Sequence, residues 1–153
     1  MKYLITGSTG WLGKNLLKRL TSREKKIEIR VLAESSKYNQ LEENINDRVI
    51  KFDGDIRNKN SLNSFFEKSD GSVLIHLAGC IHPKIFSKDF EEINFLGTKN
   101  VIEMALASEI SKAVVISSNS PLGCNPVKEH LFTEKSPYMP YMGYGKSKYK
   151  MEK

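Results

Sequence analysis

The feature that most constrains the fold is a glycine-rich turn between two apolar segments near the start of the chain. Residues 2–5 form a short apolar run typical of a strand, and residues 14–20 carry leucines at helical spacing. The turn between them places Gly7, Gly10 and Gly13 three residues apart. Such glycines permit a tight turn and let the backbone approach a pyrophosphate, which the N–H groups at the helix start attract. The segment therefore predicts a dinucleotide-binding strand, turn and helix.

Strand and helix patterns alternate along the rest of the chain. Further strands are predicted at residues 27–32, 49–52, 73–77 and 113–117. Helices are predicted at residues 61–68, at 89–107 and from 141 onward, with a proline-rich loop at 119–140. This alternation predicts an α/β fold, a Rossmann-type doubly wound parallel sheet of about five strands. At 153 residues we expect one domain, residues 1–153.

Charge and cysteine content narrow the class of protein. The net charge is +6, but the lysines are spread along the chain among acidic residues, which favours a solvated surface over a nucleic-acid patch. No apolar run reaches the ~20 residues of a membrane span, and the start of the chain lacks a signal-peptide pattern. Cys80 and Cys124 form no ligand cluster, which disfavours a zinc site or disulfide scaffold. We expect a cytoplasmic protein with no metal, nucleic-acid or membrane partner.

Candidate ligand-binding residues follow the predicted strands, because parallel sheets bind ligands at the carboxyl ends of their strands. Asp55 follows the third strand, where its carboxylate can accept a hydrogen bond from adenine while Ile56 packs against the ring. A simple turn of Asp and Gly explains the same residues equally well. Ala78 and Gly79 follow the fourth strand and are small enough for a cofactor to lie against the backbone. His76, inside that strand, is interpreted as a core histidine.

Hydroxyl groups and one possible acid–base pair complete the candidates. The polar run 117–120 follows the fifth strand, where a hydroxyl can bind a reacting oxygen or simply cap a turn. Tyr144 and Lys148 lie four residues apart, so a helix places them on one face. A nearby ammonium stabilises a phenolate, which lets a tyrosine exchange a proton with a substrate hydroxyl. Taken alone, the pair also fits the solvated face of a lysine-rich helix.

In their order and spacing, these motifs resemble the extended short-chain dehydrogenases/reductases, and most of all their NAD-dependent epimerase/dehydratase branch. The members of that branch often act on nucleotide sugars. The motifs are Thr6-Gly7-x-x-Gly10-x-x-Gly13, Asp55-Ile56, His76-Leu77-Ala78-Gly79, Asn94 within Asn94-Phe95-Leu96-Gly97-Thr98, Ser117-Ser118 and Tyr144-x-x-x-Lys148. The resemblance covers the whole chain and implies the N-terminal part of a longer enzyme, without the C-terminal domain that builds most of the family's substrate pocket.

The resemblance also implies which residues hold the cofactor. The pyrophosphate would lie against Gly7, Gly10, Trp11, Leu12 and Gly13, and the adenine against Asp55 and Ile56. The nicotinamide half would lie beside Leu77, Ala78 and Gly79, with Asn94 as support. NAD is the expected cofactor, because Glu34 after the second strand can bind a ribose 2′-hydroxyl and would repel a 2′-phosphate. Ser35, Ser36 and Lys37 can instead cradle that phosphate, which leaves NADP as the alternative.

The catalytic set implied by the resemblance is Ser118, Tyr144 and Lys148, with hydride transfer coupled to proton transfer through the tyrosine. Ser118 is chosen by counting five residues back from Gly123, ahead of its neighbours Ser117 and Ser120. Lys148 would also bind the nicotinamide ribose. The family's sugar 4,6-dehydratases carry an acidic pair right after the catalytic hydroxyl, at positions that here hold Asn119 and Ser120. This difference argues against dehydration and leaves epimerisation or another redox reaction.

Two other functions stay open at this stage. One is an NADPH-dependent carbonyl or steroid-type reductase, and the other is a dinucleotide-binding module without catalysis. The resemblance further implies a homodimer through the helices at 89–107 and around Tyr144. Because the substrate-binding domain is missing from the sequence, we expect weak catalysis at best from these residues alone.

Overall fold

The computed structural model describes residues 1–22, 27–83, 88–125 and 127–153. A parallel sheet in the order β3-β2-β1-β4-β5 forms the centre of these residues. Its strands are β1 Lys2–Thr6, β2 Glu28–Ala33, β3 Ile50–Asp53, β4 Val73–His76 and β5 Lys112–Val115. Strands β2 and β3 follow on one side of β1, and β4 and β5 follow on its other side, so the strand order reverses between β1 and β4. Ligands bind at such a reversal in open α/β sheets.

Helices cover both faces of the sheet. They are α1 Trp11–Thr21, α2 Glu43–Asn46, α3 Asn63–Phe66, α4 Thr98–Ala107 and α5 Met142–Glu152. Short 3-10 helices occupy Ser35–Gln40, Lys59–Leu62 and Ser120–Leu122, and a π-helical segment, Phe90–Gly97, leads directly into α4. This arrangement confirms the predicted doubly wound α/β fold.

Two apolar cores lie on opposite faces of the sheet. Leu4 and Ile5 are neighbours in β1 but belong to different cores, because successive side chains of a strand point to opposite faces. The first core packs the sheet against α3 and α4 and contains Phe65, Phe66, Leu74 and Val101. The second packs it against α1 and α2 and contains Leu17, Leu20, Val31 and Ile45. Strand β1, which leads into the glycine-rich turn, is therefore packed on both of its faces.

Several elements differ from the sequence-based prediction, and the 3-10 helix Ser35–Gln40 and helix α2 were not predicted at all. The helix predicted at 61–68 is a 3-10 helix followed by the single turn α3, and Lys68 takes a positive φ of 52° that ends any helix there. The helix predicted at 89–107 begins with the π-helical segment instead of a regular α-helix. The loop predicted at 119–140 contains the 3-10 helix Ser120–Leu122, and its Pro126 lies outside the described residues.

In the described part of the chain, no helix is long and apolar enough to cross a membrane. Nor do the His, Cys, Asp and Glu side chains of these residues come together in a group of three that can hold a metal ion. Cys80 and Cys124 are both free thiols.

Candidate active site

Two adjoining clefts open beside the carboxyl ends of the strands and share Gly7, Gly10, Leu77 and Gly79 as a common wall. The β2-side cleft has a volume of about 560 Å³ and extends to residues that follow β2 and β3. The α5-side cleft has a volume of about 280 Å³ and extends to α5. Because they share these four residues, the two clefts adjoin at the reversal in strand order, and we refer to the pair as the groove.

The glycine-rich turn forms the middle of this groove and has no room for a side chain at Gly7 or Gly13. Gly7 has a φ of +69°, and a Cβ there would lie 2.5 Å from the backbone nitrogen of Ala78. At Gly13 a Cβ would lie 2.3 Å from the carbonyl oxygen of Gly7. The N–H groups in the first turn of helix α1, which starts at Trp11, have no intrahelical acceptor, and the N-cap residue Gly10 supplies no side-chain cap. Since Trp11 and Leu12 line the α5-side cleft, this helix start offers donors for a phosphate group.

Two ion pairs line the β2-side cleft. The Lys37 ammonium lies 2.6 Å from the Glu34 carboxylate, and the Arg57 guanidinium lies 2.5 Å from the Asp55 carboxylate. The hydrogen bond from Arg57 holds the pKa of Asp55 below its ordinary value, so this carboxylate is charged at neutral pH. Ile56 adds a buried apolar side chain to the same wall. The cleft thus combines an apolar surface with two negative and two positive groups.

Tyr144 and Lys148 both line the α5-side cleft, as expected for positions i and i+4 of one helix. Lys148 is only 5% exposed, and its Nζ donates a hydrogen bond to the Ile116 carbonyl oxygen at 2.8 Å. Burial lowers the pKa of Lys148, partly offset by the charge of Glu152. The Tyr144 ring packs against Phe90, with 5.9 Å between the ring centroids. The pair therefore lies in a cleft wall and not on a solvated helix face.

The buried side chain of Asn94 connects the shared wall to α5. Its Oδ1 accepts a hydrogen bond from the Cys80 backbone nitrogen at 2.7 Å, and its Nδ2 donates to the Cys80 carbonyl at 2.9 Å. The same Nδ2 donates to the Ser147 hydroxyl at 3.0 Å, which donates in turn to the Tyr144 carbonyl at 2.8 Å. Asn94 lies in the π-helical segment, and such segments often occur at functional sites. These bonds fix the residue after Gly79 relative to the helix that carries Tyr144.

The three candidate serines lie in different surroundings. Ser118 lines a separate cavity of about 420 Å³, and its hydroxyl donates to the Ser120 hydroxyl at 3.0 Å. Ser117 lines both that cavity and the α5-side cleft. The structure therefore brings Ser117, and not Ser118, into the cleft of Tyr144 and Lys148. β5 already ends at Val115, so the direction of the following side chains depends on a turn that strand periodicity does not predict.

Several residues that line the groove were not selected from the sequence. They are Thr6, Thr9, Arg57, Cys80, Ile81, Asp89, Ile93 and Ile116. Arg57 had a detectable signal, because a cation two residues after an aspartate in a turn can fold back on it, as it does here. Thr6 had a weaker one, as the last residue of the first strand. Thr9, Cys80, Ile81, Ile93 and Ile116 lie next to or near selected residues in the sequence, whereas Asp89 is brought to the groove by tertiary packing.

His76 is buried between two threonines, at 1% exposure, in agreement with its interpretation as a core residue. Its Nδ1 lies 2.6 Å from the Thr6 hydroxyl, and its Nε2 lies 2.9 Å from the Thr98 hydroxyl. Burial lowers the pKa of His76 to about 4, and the positive charge of Lys148 acts in the same direction. The ring is therefore neutral at pH 7 and joins the end of β1 to the start of α4.

Because folding keeps His76 neutral, we expect the folded protein to lose stability in mild acid. Between pH 6.5 and about 4 the unfolded chain binds a proton at His76 that the folded chain excludes, so the free energy of unfolding decreases as the pH falls through that window. We expect a loss of about 2 kcal/mol between pH 7 and pH 5, measured by urea unfolding. The His76→Gln variant, which cannot titrate, should show a correspondingly smaller dependence on pH. An equal dependence in both proteins would contradict a neutral His76.

Comparison with known proteins places these features in a family. A family model described as the NAD dependent epimerase/dehydratase family matches residues 3–153. The chain is 41% identical over 156 aligned positions to the Sinorhizobium fredii protein y4nL, and the alignment covers 98% of this chain and 44% of that protein.

Two solved structures share the fold. The UDP-Glc/GlcNAc 4-epimerase of Campylobacter jejuni superposes with a TM-score of 0.78 at 27% identity, covering 99% of this chain and 46% of its own. The dTDP-glucose 4,6-dehydratase of Bacillus anthracis, solved in complex with NAD, superposes with a TM-score of 0.81 at 24% identity, covering 99% and 48%. The chain thus spans about half the length of these proteins.

The match over nearly all of the sequence confirms the resemblance inferred from its motifs. It also confirms the expected cofactor at the level of the family, whose description names NAD. The glycine-rich turn, the groove and the Tyr144–Lys148 pair are therefore features of a protein that belongs to the NAD dependent epimerase/dehydratase family.

Proposed function

We propose that this chain is the cofactor-binding part of an NAD-dependent epimerase or oxidoreductase that acts on a nucleotide sugar. The observation that carries the proposal is the groove formed by the two adjoining clefts. It runs from the Glu34 end, past the glycine-rich turn, to Tyr144 and Lys148. One extended ligand can therefore contact both the phosphate-binding turn and the acid–base pair.

The residues of the groove fit a dinucleotide with NAD rather than NADP chemistry. Gly7, Gly10 and the start of α1 would hold the pyrophosphate, while Asp55 and Ile56 would hold the adenine. Glu34 would accept a hydrogen bond from the ribose 2′-hydroxyl, and its charge disfavours a 2′-phosphate at the same place.

In the proposed reaction, Tyr144 exchanges a proton with a hydroxyl or carbonyl oxygen of the substrate. The bound nicotinamide supplies the hydride acceptor or donor for the carbon that bears this oxygen. The buried ammonium of Lys148 stabilises the phenolate that remains when Tyr144 has given up its proton. A serine hydroxyl at the end of β5, from Ser117 or Ser118, would bind the substrate oxygen.

Dehydration is the less favoured reaction of this family for the present chain. Removal of water requires an acid and a base beside the catalytic hydroxyl, and Asn119 and Ser120 cannot supply them. Epimerisation or simple oxidoreduction requires only the hydride and the proton on Tyr144.

Under the same proposal the enzyme is a cytoplasmic homodimer. Its contact surface would include two exposed side chains, Leu96 of the π-helical segment and Leu106 of α4.

Trp11 offers a direct test of the cofactor. It is the only tryptophan of the sequence, it is 81% exposed, and it lines the α5-side cleft. We expect NADH to quench its fluorescence by energy transfer, and NAD(H) to bind at least about tenfold more tightly than NADP(H). The full-length protein should then turn over a nucleotide sugar in a screen of such compounds.

Each other outcome of this test points to a different function. Absence of dinucleotide binding would contradict the cofactor assignment. Preference for NADP(H) together with turnover of apolar ketones would favour a carbonyl or steroid-type reductase. Tight NAD(H) binding by the full-length protein without turnover of any sugar would favour a non-catalytic binding module.

A further inference from the structure

The last turn of α5 is tied to the end of β5 through Glu152. The Ser117 hydroxyl donates a hydrogen bond to the Glu152 carboxylate. The same carboxylate acts on the nearby Tyr138 hydroxyl and raises the pKa of that phenol. Ser117 follows β5, and Tyr138 belongs to the segment that precedes α5. One carboxylate thus joins α5 to the end of β5 and lies near the segment that precedes α5.

Glu152 lies on the helix face that carries the acid–base pair. Tyr144, Lys148 and Glu152 are successive i+4 positions of α5. Lys148 donates to the carbonyl of Ile116, and Glu152 accepts from the next residue, Ser117. Ile116 and Ser117, which follow β5, are therefore held by Lys148 and Glu152, which lie about one turn apart on the same face of α5.

A third close approach holds the other end of the helix on the same segment. A Cβ at Gly145 would lie 2.8 Å from the Ser120 carbonyl oxygen, so the two backbones are in direct contact there. The contacts from Gly145 to Glu152 span two turns of α5. Without Glu152, the last of these turns would lose its side-chain bond to the strand end.

We propose that Glu152 is a positioning residue that fixes α5 on residues 116–120 and thereby sets the serine hydroxyls relative to Tyr144. The proposal rests on the proposed function, because it assumes that a serine and Tyr144 act on one substrate. Glu152 lines the cavity of Ser117 and Ser118 but not the α5-side cleft, so its influence on the cleft of Tyr144 passes through Ser117. A hydrogen bond to a carboxylate is strong enough to hold such a contact, and a misplacement of about 1 Å can lower a rate by about a hundredfold.

The test compares Glu152→Ala with Glu152→Gln in the full-length protein. We expect Glu152→Ala to lower kcat for the sugar substrate by about 10- to 100-fold while the Kd for NAD, from calorimetric titration, stays within about twofold. Glu152→Gln should retain kcat within about threefold, because its amide oxygen still accepts from Ser117. Glu129→Ala, which removes an exposed carboxylate of the segment before α5, is the matched control and should behave as wild type.

Hydrogen exchange tests the positioning role of Glu152 independently of the proposed enzymatic activity. Glu152→Ala should speed amide exchange in residues 116–120 and in the last turn of α5, whereas Glu152→Gln and Glu129→Ala should not. Unchanged exchange in Glu152→Ala would overturn the positioning role, whether or not the protein turns over a sugar. A kcat equal to wild type in Glu152→Ala, or an equal loss of kcat and NAD affinity, would overturn it as well. Failure of the wild-type protein to turn over any sugar would instead count against the proposed function.

Discussion

Replacement of Tyr144 by phenylalanine in the full-length protein is expected to lower kcat by about 10²- to 10⁴-fold, the usual contribution of a general acid–base group. The phenol oxygen is the only atom lost, and the ring can keep its packing against Phe90. The pyrophosphate and adenine contacts lie elsewhere in the groove, so the Kd for NAD should change by no more than about threefold. Steady-state kinetics and Trp11 fluorescence measure the two quantities separately.

Tyr141→Phe is the matched control for this experiment. Tyr141 immediately precedes α5, is 63% exposed, and does not line the α5-side cleft. Its loss of a hydroxyl should leave kcat unchanged. Full activity in Tyr144→Phe would show that the pair with Lys148 has no acid–base role. Parallel losses in Tyr144→Phe and Tyr141→Phe would show that both act only through folding.

Two glycines of the same turn should respond to alanine in different ways. At Gly13 the new Cβ would lie 2.3 Å from the Gly7 carbonyl oxygen, a contact with backbone that no rotamer can relieve. We expect Gly13→Ala to lower the free energy of unfolding by about 3 kcal/mol, at the upper end for overpacking. At Gly10 the nearest atom outside the neighbouring residues would be 3.4 Å away, so Gly10→Ala should fold nearly normally.

Gly10 nevertheless lines both clefts, and its Cβ would occupy the surface that a pyrophosphate approaches. Gly10→Ala should therefore weaken NAD binding by about tenfold or more while its unfolding midpoint in urea stays near that of the wild type. Urea unfolding and NADH titration of both variants provide the comparison. If Gly10→Ala binds NAD normally, the glycine-rich turn does not hold the pyrophosphate. If Gly13→Ala unfolds like the wild type, the close packing of α1 on the turn is not required for folding.

The parts of the fold that were predictable are those set by local chemistry. The segment from β1 to α1 combines an apolar run, glycines at fixed offsets and helically spaced leucines, and each of these favours the same structure. Tyr144 and Lys148 were placed on one helix face by their spacing alone. The fourth strand was recognised because it is apolar on both faces, as a central parallel strand must be.

The parts that were not predictable depend on contacts between distant segments. The π-helical turns around Asn94 accompany its bonds to Cys80 and Ser147, and no helix propensity encodes these partners. Ser117 and Ser118 are identical in chemistry, and only the turn after β5 decides which of them reaches the α5-side cleft. The ion pair between Glu34 and Lys37 likewise depends on a 3-10 helix that the sequence pattern did not indicate.

The shared wall of the two clefts has a consequence for protein engineering. A substitution at Gly7, Gly10, Leu77 or Gly79 changes a wall of both clefts at once, so cofactor choice and chemistry cannot be redesigned independently at these four residues. Glu34 and Lys37, by contrast, line only the β2-side cleft. A library confined to these two positions could change the preferred dinucleotide without changing the walls around Tyr144.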